Sequence, residues 1–339
     1  MPGATRNRRR PGAIRIALLS LLSAVTAAGL YGCTSDGTQE TPPPDGTPPP
    51  SAPASPTARS PFTGLPAKPA QVLAVKIDNV QAARPATGLG TADLVYVEQV
   101  EGGVTRLLAV YSAHLPDRIG PVRSARESDL SLLRPFGRPV LAYSGAQSAL
   151  NPLIEAAPLY PVTEGDTPAA FVRDPARPAP HNLYLRPERA LAAAPDATRA
   201  RDIGFRFGSA PADGTAVNST SVRFPAARYT FTWSAPDKAW RVAMDGRAGR
   251  STDTGALTPE TVVIQYVTVR PSGFRDRFGS VSPYTETVGS GNAVVLRDGR
   301  SHQARWNRPT QDAGTAFTTP AGTPLNFARG QVWVVLAPR

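Results

Sequence analysis

The sequence predicts an α+β protein in two parts, a mixed α/β domain at residues 61–208 and a β-rich domain at residues 218–339. Three observations carry this. Strand-like and helix-like runs alternate up to about residue 205. Beyond about residue 218 the pattern changes to strand candidates between turn signals, with period-two alternation at Tyr229, Phe231 and Trp233. A Pro/Thr/Ser stretch separates both parts from an apolar N-terminal leader.

Residues 1–32 read as a secretory signal. Arg6, Arg8, Arg9 and Arg10 precede an apolar run over residues 16–30, and Leu30-Tyr31-Gly32-Cys33 closes it. Cys33 is the only cysteine of the 339 residues, placed where a lipoprotein signal presents the thiol for lipidation. The run is short for a span, which needs about 20 residues. Arg8-Arg9-Arg10 contains a twin arginine without the residues that usually follow it, so general secretion is the default route. The expected location is the outer face of the cell membrane, lipid-anchored through Cys33. Residues 33–60, with Thr41-Pro42-Pro43-Pro44 and Thr47-Pro48-Pro49-Pro50, cannot bury a core and read as a tether.

In the first domain, residues 72–77 read as a buried strand entering a loop at Asp78-Asn79. Residues 94–100 and 104–111 read as two strands joined at Gly102-Gly103. A helix is expected over residues 124–134, stopped by Pro135, then a strand at 140–144. Residues 146–157 read as a helix interrupted by Pro152, and Pro187 opens a short Ala-rich helix. In the second domain, Tyr229, Phe231 and Trp233 alternate with polar residues. Further strands are expected at 262–269, 281–288, 293–296 and 332–336, and no helix. Trp233, Trp240, Trp306 and Trp333 read as β-core residues.

The net charge is +11, of which the leader's arginines supply five, leaving the rest moderately basic at about +6. With Cys33 lipidated no disulfide can form. His114, His181 and His302 lie far apart without ligand spacing, so no metal site is expected. Neither a phosphate-binding GxxxxGK[ST] loop nor a dinucleotide GxGxxG occurs, and no cofactor is expected. No nucleic-acid module is visible; a basic exported protein is better suited to an anionic wall polymer, a lipid-linked precursor or an envelope protein partner.

Polar clusters concentrate in the first domain: Asp78-Asn79, Ala83-Arg84-Pro85, Glu101-Gly102-Gly103-Val104-Thr105-Arg106, Gly120-Pro121-Val122-Arg123-Ser124-Ala125-Arg126, Ser144-Gly145 and His181-Asn182. With Val288-Gly289-Ser290-Gly291, Trp306 and Gly330-Gln331-Val332-Trp333, these strings resemble the YerB-like bacterial lipoproteins. The resemblance implies a lipid anchor and a two-domain ectodomain, and no assigned activity. One departure stands out. Members of that family carry an acidic residue directly after the tyrosine matching Tyr96, where this chain has Val97 and then Glu98. A one-residue shift in a strand moves a side chain to the other face.

Arg123 and Arg126 lie three apart with Ser124 at an expected loop-to-helix junction, where guanidinium forks and free backbone N–H groups suit a phosphate or carboxylate. Arg84, Arg106 and Arg173 are candidates to converge on them. The alternative is that each arginine pairs with Asp78, Glu98, Glu101 or Asp174 and fixes loops. Asp78, Glu101 and His181 are the candidate acid/base residues. A Ser124 or Ser144 triad lacks a G-x-S-x-G elbow, and Asp78 with Glu101 as a glycosidase pair needs a separation that sequence cannot supply. Two functions stay open: a binding or scaffolding lipoprotein, or a hydrolase or transferase acting on envelope glycan or phosphodiester with Glu101 and His181 as acid and base.

Overall fold

Residues 332–336 show no polar alternation, so a strand there must be covered on both faces. In the computed structural model, which describes residues 58–276 and 279–339, that strand lies inside the main sheet. The expected signal, Cys33 and the tether up to residue 57 lie outside the described residues. The last tether residues already belong to the fold: Arg59 bridges to Pro66, and the buried Ser60 hydroxyl accepts the Phe62 N–H at 3.1 Å.

The main sheet has eleven strands. Its order is Ala316–Thr318, Arg300–Arg308, Gly289–Arg297, Thr261–Val267, Val332–Pro338, Leu94–Gln99, Thr105–Tyr111, Leu73–Ile77, Val140–Ala142, Tyr160–Val162, with Thr215–Ala216 pairing beside Arg300–Arg308. The sheet is mixed. Leu94–Gln99 runs antiparallel to Thr105–Tyr111, with Glu98 opposite Arg106, and parallel to Val332–Pro338. Both regions defined on the sequence therefore contribute strands to one sheet, joined at that parallel pair.

One face of the sheet is covered by a four-stranded sheet holding Ala227–Ser234 and Ala239–Met244, whose Phe231 and Trp240 pack with Val97, Leu107 and Trp333. The other face is covered by helices α1 (Glu127–Leu133) and α2 (Asn151–Ala156). Their Leu132, Leu133 and Ile154 join Ala74, Tyr96 and Leu108. A third helix, α3 (Pro187–Ala192), follows, and among the described residues no α-helix occurs after it. The structure is thus richer in sheet than an alternating α/β reading implies, because the helices are single short caps on a sheet.

Several elements differ in detail from expectation. The helix expected from Ser124 begins at Glu127, because Arg126 is extended and its N–H is taken by the Asp129 carboxylate at 2.7 Å. Pro152 opens α2 instead of interrupting it, since a proline costs nothing in a first turn. The strand Arg300–Arg308 was not expected; its inward positions include His302 and Arg308, which hide an alternating pattern from hydropathy. Residues 269–275 and 281–285 form a two-stranded ribbon of their own. Trp240, Trp306 and Trp333 are fully buried core residues as expected, and Trp233 packs on Trp240 at 5.3 Å.

Candidate functional site

The strand ends and loops nearest α1 carry most of the candidate residues. The Thr105–Tyr111 strand places Arg106, the segment after the Ile77–Val122 bridge places Arg123 and Ser124, and Arg126 stands just before α1. Arg106, Arg123, Ser124 and Arg126 line one open cleft of about 730 Å³. Its other walls come from Gln147 and Ser148 ahead of α2 and from Phe274, Arg275 and Ser282 of the ribbon.

Pairing differs from one arginine to the next. Arg126 grips Glu101 with two bonds of 2.7 Å, and Glu101 also accepts from the Ser282 hydroxyl. Burial alone would raise the Glu101 carboxyl; the Arg126 and Ser282 hydrogen bonds outweigh it and hold the group below the ordinary glutamate value. Arg123 lies 3.1 Å from the Asp78 carboxylate, whose same oxygen is 2.9 Å from His181 Nδ1. Arg106 has no carboxylate partner among the described residues and donates only to the Ser124 carbonyl, at 3.1 Å. Burial, reinforced by the Arg126 charge, pulls its guanidinium down to about 10, so it stays cationic at neutral pH.

Three backbone N–H groups of the segment leading into the helix are occupied. Arg123 N–H goes to the Lys76 carbonyl at 2.8 Å and Ala125 N–H to the Gly145 carbonyl at 3.0 Å. Arg126 N–H goes to Asp129.

Two candidate arginines lie elsewhere. Arg84 ties Asn79 to the Asp245 carboxylate, at 2.8 Å, and so staples the Asp78 loop to the smaller sheet. Arg173 pairs with Glu164 and Asn182 on an exposed surface. His181 reaches the cleft only through Asp78 and Arg123; its side chain contacts neither Ser124 nor Ser144 among the described hydrogen bonds. No triad is assembled, and both candidate carboxylates are engaged by arginines.

Sequence reasoning missed Glu127, Gln147, Phe274 and Arg275. Glu127 lines the cleft with no ion pair among the described residues, and burial raises its carboxyl against the opposing charge of Arg270. Gln147 Oε1 is buried there without a donor among the described residues. Arg275 donates to the Gly279 carbonyl at 3.0 Å and has no carboxylate partner among the described residues. Glu127 reads in sequence as a solvated helix position, and nothing local shows that the ribbon folds back onto a segment 150 residues earlier.

Glu98 is not a cleft residue. It lies on the Tyr96 face, buried, with Lys76 Nζ 2.7 Å away and Asp129 on the other side of that lysine at 2.6 Å. Val97 packs into the opposite core. Among the described residues no group of three or more His, Cys, Asp or Glu is placed to hold a metal, and no helix is long and apolar enough to cross a membrane.

The fold and site define a two-part, sheet-based protein with a guanidinium-lined cleft. Residues 62–201 match the family described as the N-terminal domain of the protein of unknown function DUF3048, and residues 220–334 match its C-terminal domain. The chain belongs to this family. Over 130 residues it is 32% identical to the "Putative lipoprotein YerB" of Bacillus subtilis (strain 168), a match covering 37% of this chain and 39% of that protein's length. The crystal structure of YerB from Bacillus subtilis superposes with a TM-score of 0.72 at 20% identity, covering 83% of this chain and 97% of that one, which shows the shared fold.

Proposed function

We propose that the protein is a lipid-anchored, extracytoplasmic binding protein whose cleft takes an anionic envelope group. One observation carries the reading: among the described residues the half-buried Arg106 and the exposed Arg275 enter an open cleft with backbone carbonyls as their hydrogen-bond partners, while their neighbours Arg123 and Arg126 are already matched by carboxylates. An unmatched, partly desolvated guanidinium is a strong site for phosphate or carboxylate. The acceptor Gln147 Oε1 and the Glu127 carboxylate on the same walls favour an anion that also bears hydroxyl hydrogens, as a glycan phosphate does. Catalysis through Glu101 and His181 is disfavoured because each is already committed, Glu101 to Arg126 and His181 to Asp78.

The test is calorimetric titration of the intact chain with glucose 1-phosphate and with inorganic phosphate, beside the Arg106→Gln, Arg275→Gln double variant. Saturable binding that the double variant weakens by about tenfold or more supports the site. Absence of binding by either anion would remove it. The anchor is tested separately: Cys33→Ser should move the protein from the membrane fraction to the medium, and its retention in the membrane would contradict lipidation there.

A further inference from the structure

We infer that the ligand of the arginine cleft is an amphiphile, an anionic head carrying an apolar chain that leaves the cleft along a groove between α1 and α2. This rests on the anion-binding reading above. A second depression, of about 270 Å³, lies directly beside the cleft and shares Glu127 with it. Helix α1 runs along both, and the second wall passes from the turn ending at Leu150, at the cleft, into α2, at the groove. Along α1, Glu127 stands at the cleft and Leu130 and Arg134 follow in the groove, three and seven residues on, which is one helix face. Along the second wall, Leu150 stands at the cleft and Leu153 and Ala157 follow at the same spacings. The two depressions are therefore neighbours that meet at Glu127, and their character changes there.

The head end presents guanidiniums and polar acceptors. Beyond Glu127 the walls are mostly apolar, Leu130, Leu153, Ala156, Pro158 and the Tyr284 ring, with Ser131 and Gln311 as the neutral polar residues among them. Leu153 is 45% exposed, one of only five large apolar side chains so open among the described residues. A single exposed leucine is ordinary, but this one lies in a lined groove that meets a charged cleft at Glu127. Among the described residues Arg134 is the one cation lining the groove and is paired with Asp312 at 2.7 Å, and Arg270, which lies over the Tyr284 ring, is paired with Glu286. Charge at one end and apolar lining at the other match a phosphate-headed lipid, and a uniformly polar glycan would leave the groove unused.

The experiment titrates the intact chain with inorganic phosphate, butyl phosphate and octyl phosphate, all below micelle formation, with octyl glucoside as the uncharged control. Affinity should rise with chain length, by up to about fourfold per methylene that becomes fully buried. Octyl glucoside should bind far more weakly than octyl phosphate. Leu153→Ser should lower octyl phosphate affinity by about threefold to tenfold, with inorganic phosphate titrated into the same variant as the folding control. If phosphate binds and the octyl chain adds nothing, or Leu153→Ser leaves the gain intact, the amphiphile assignment is overturned while the anion cleft stands. If neither phosphate nor octyl phosphate binds, the cleft reading itself fails.

Discussion

Two charged clusters sit on the same face of the same sheet and settle their charge in opposite ways. In one, Lys76 stands between Glu98 and Asp129, with every member at most 1% exposed. In the other, Arg106, Arg123 and Arg126 open onto a cleft, with Arg123 25% exposed. They touch in register, since Glu98 lies opposite Arg106. Each is unbalanced. The sealed cluster has one cation for two carboxylates, and burial together with the Asp129 charge pushes the Glu98 carboxyl up, so a proton makes up the difference. In the open cluster Arg106 has no carboxylate partner among the described residues, and no proton can discharge it near neutrality, while Glu127 on the same walls is also without an ion pair. A sealed imbalance thus becomes a matter of stability, and an unpaired guanidinium in an open cleft is what the proposed anion site rests on.

The largest effect should come from breaking the sealed cluster. Lys76→Met leaves the two buried carboxyl groups, one of them ionised, without a cation, and should cost about 3–5 kcal/mol in urea unfolding at neutral pH. Adding Glu98→Gln and Asp129→Asn to that variant should recover much of the loss. A single Lys76→Met protein that unfolds with the wild-type midpoint would show that the cluster carries no such tension.

The next effect is a pH slope. A carboxyl raised in the fold takes up a proton on folding, so its contribution is complete below the ordinary value of 4.5 and is lost as pH rises through the folded value. Glu98→Gln cannot lose that proton. Its stability relative to wild type should therefore improve steadily from acid to mildly alkaline pH, by roughly 1–3 kcal/mol across the window. Parallel stability–pH curves for the two proteins would place the missing proton elsewhere.

What was legible in sequence was what is local. Gly102 and Gly103 adopt positive φ of 69° and 71° between two paired strands, as the Gly-Gly turn suggested. The clustering of Arg106, Arg123 and Arg126 was also legible, because glycine-arginine strings mark loops around strand ends. Partner choice was not. Arg84 meets Asp245 161 residues away and Ser282 reaches Glu101 across 181, and no spacing rule encodes such pairs. The same holds for Arg308, fully buried and donating to the carbonyls of Ser131, Gln311 and Ala313, which reads in sequence as one more surface arginine. The one-residue shift at Glu98 was visible, but not its consequence, because Lys76 lies on another strand.

The open cluster should answer mutation in the reverse sense. Arg106→Gln removes a buried cation that Arg126 and Arg123 repel, and keeps a donor for the Ser124 carbonyl. Its unfolding free energy should stay within about 1 kcal/mol of wild type while phosphate affinity falls. A loss as large as that of Lys76→Met would make Arg106 a structural residue and erase the contrast.

The smallest effect marks the limit of the comparison. Arg173 carries the same side chain as the cleft residues, and the sequence grouped it with them, yet it is 49% exposed and pairs with a Glu164 that is 37% exposed. Water and salt screen such a pair, so Arg173→Ala should change stability by no more than about 0.5 kcal/mol. It should leave phosphate titration of the intact chain unchanged, because Arg173 does not line the cleft. If Arg173→Ala weakened binding as Arg106→Gln does, charge anywhere on this face would suffice. The distinction would then lie in total field, not in the unmatched guanidinium inside an open cleft.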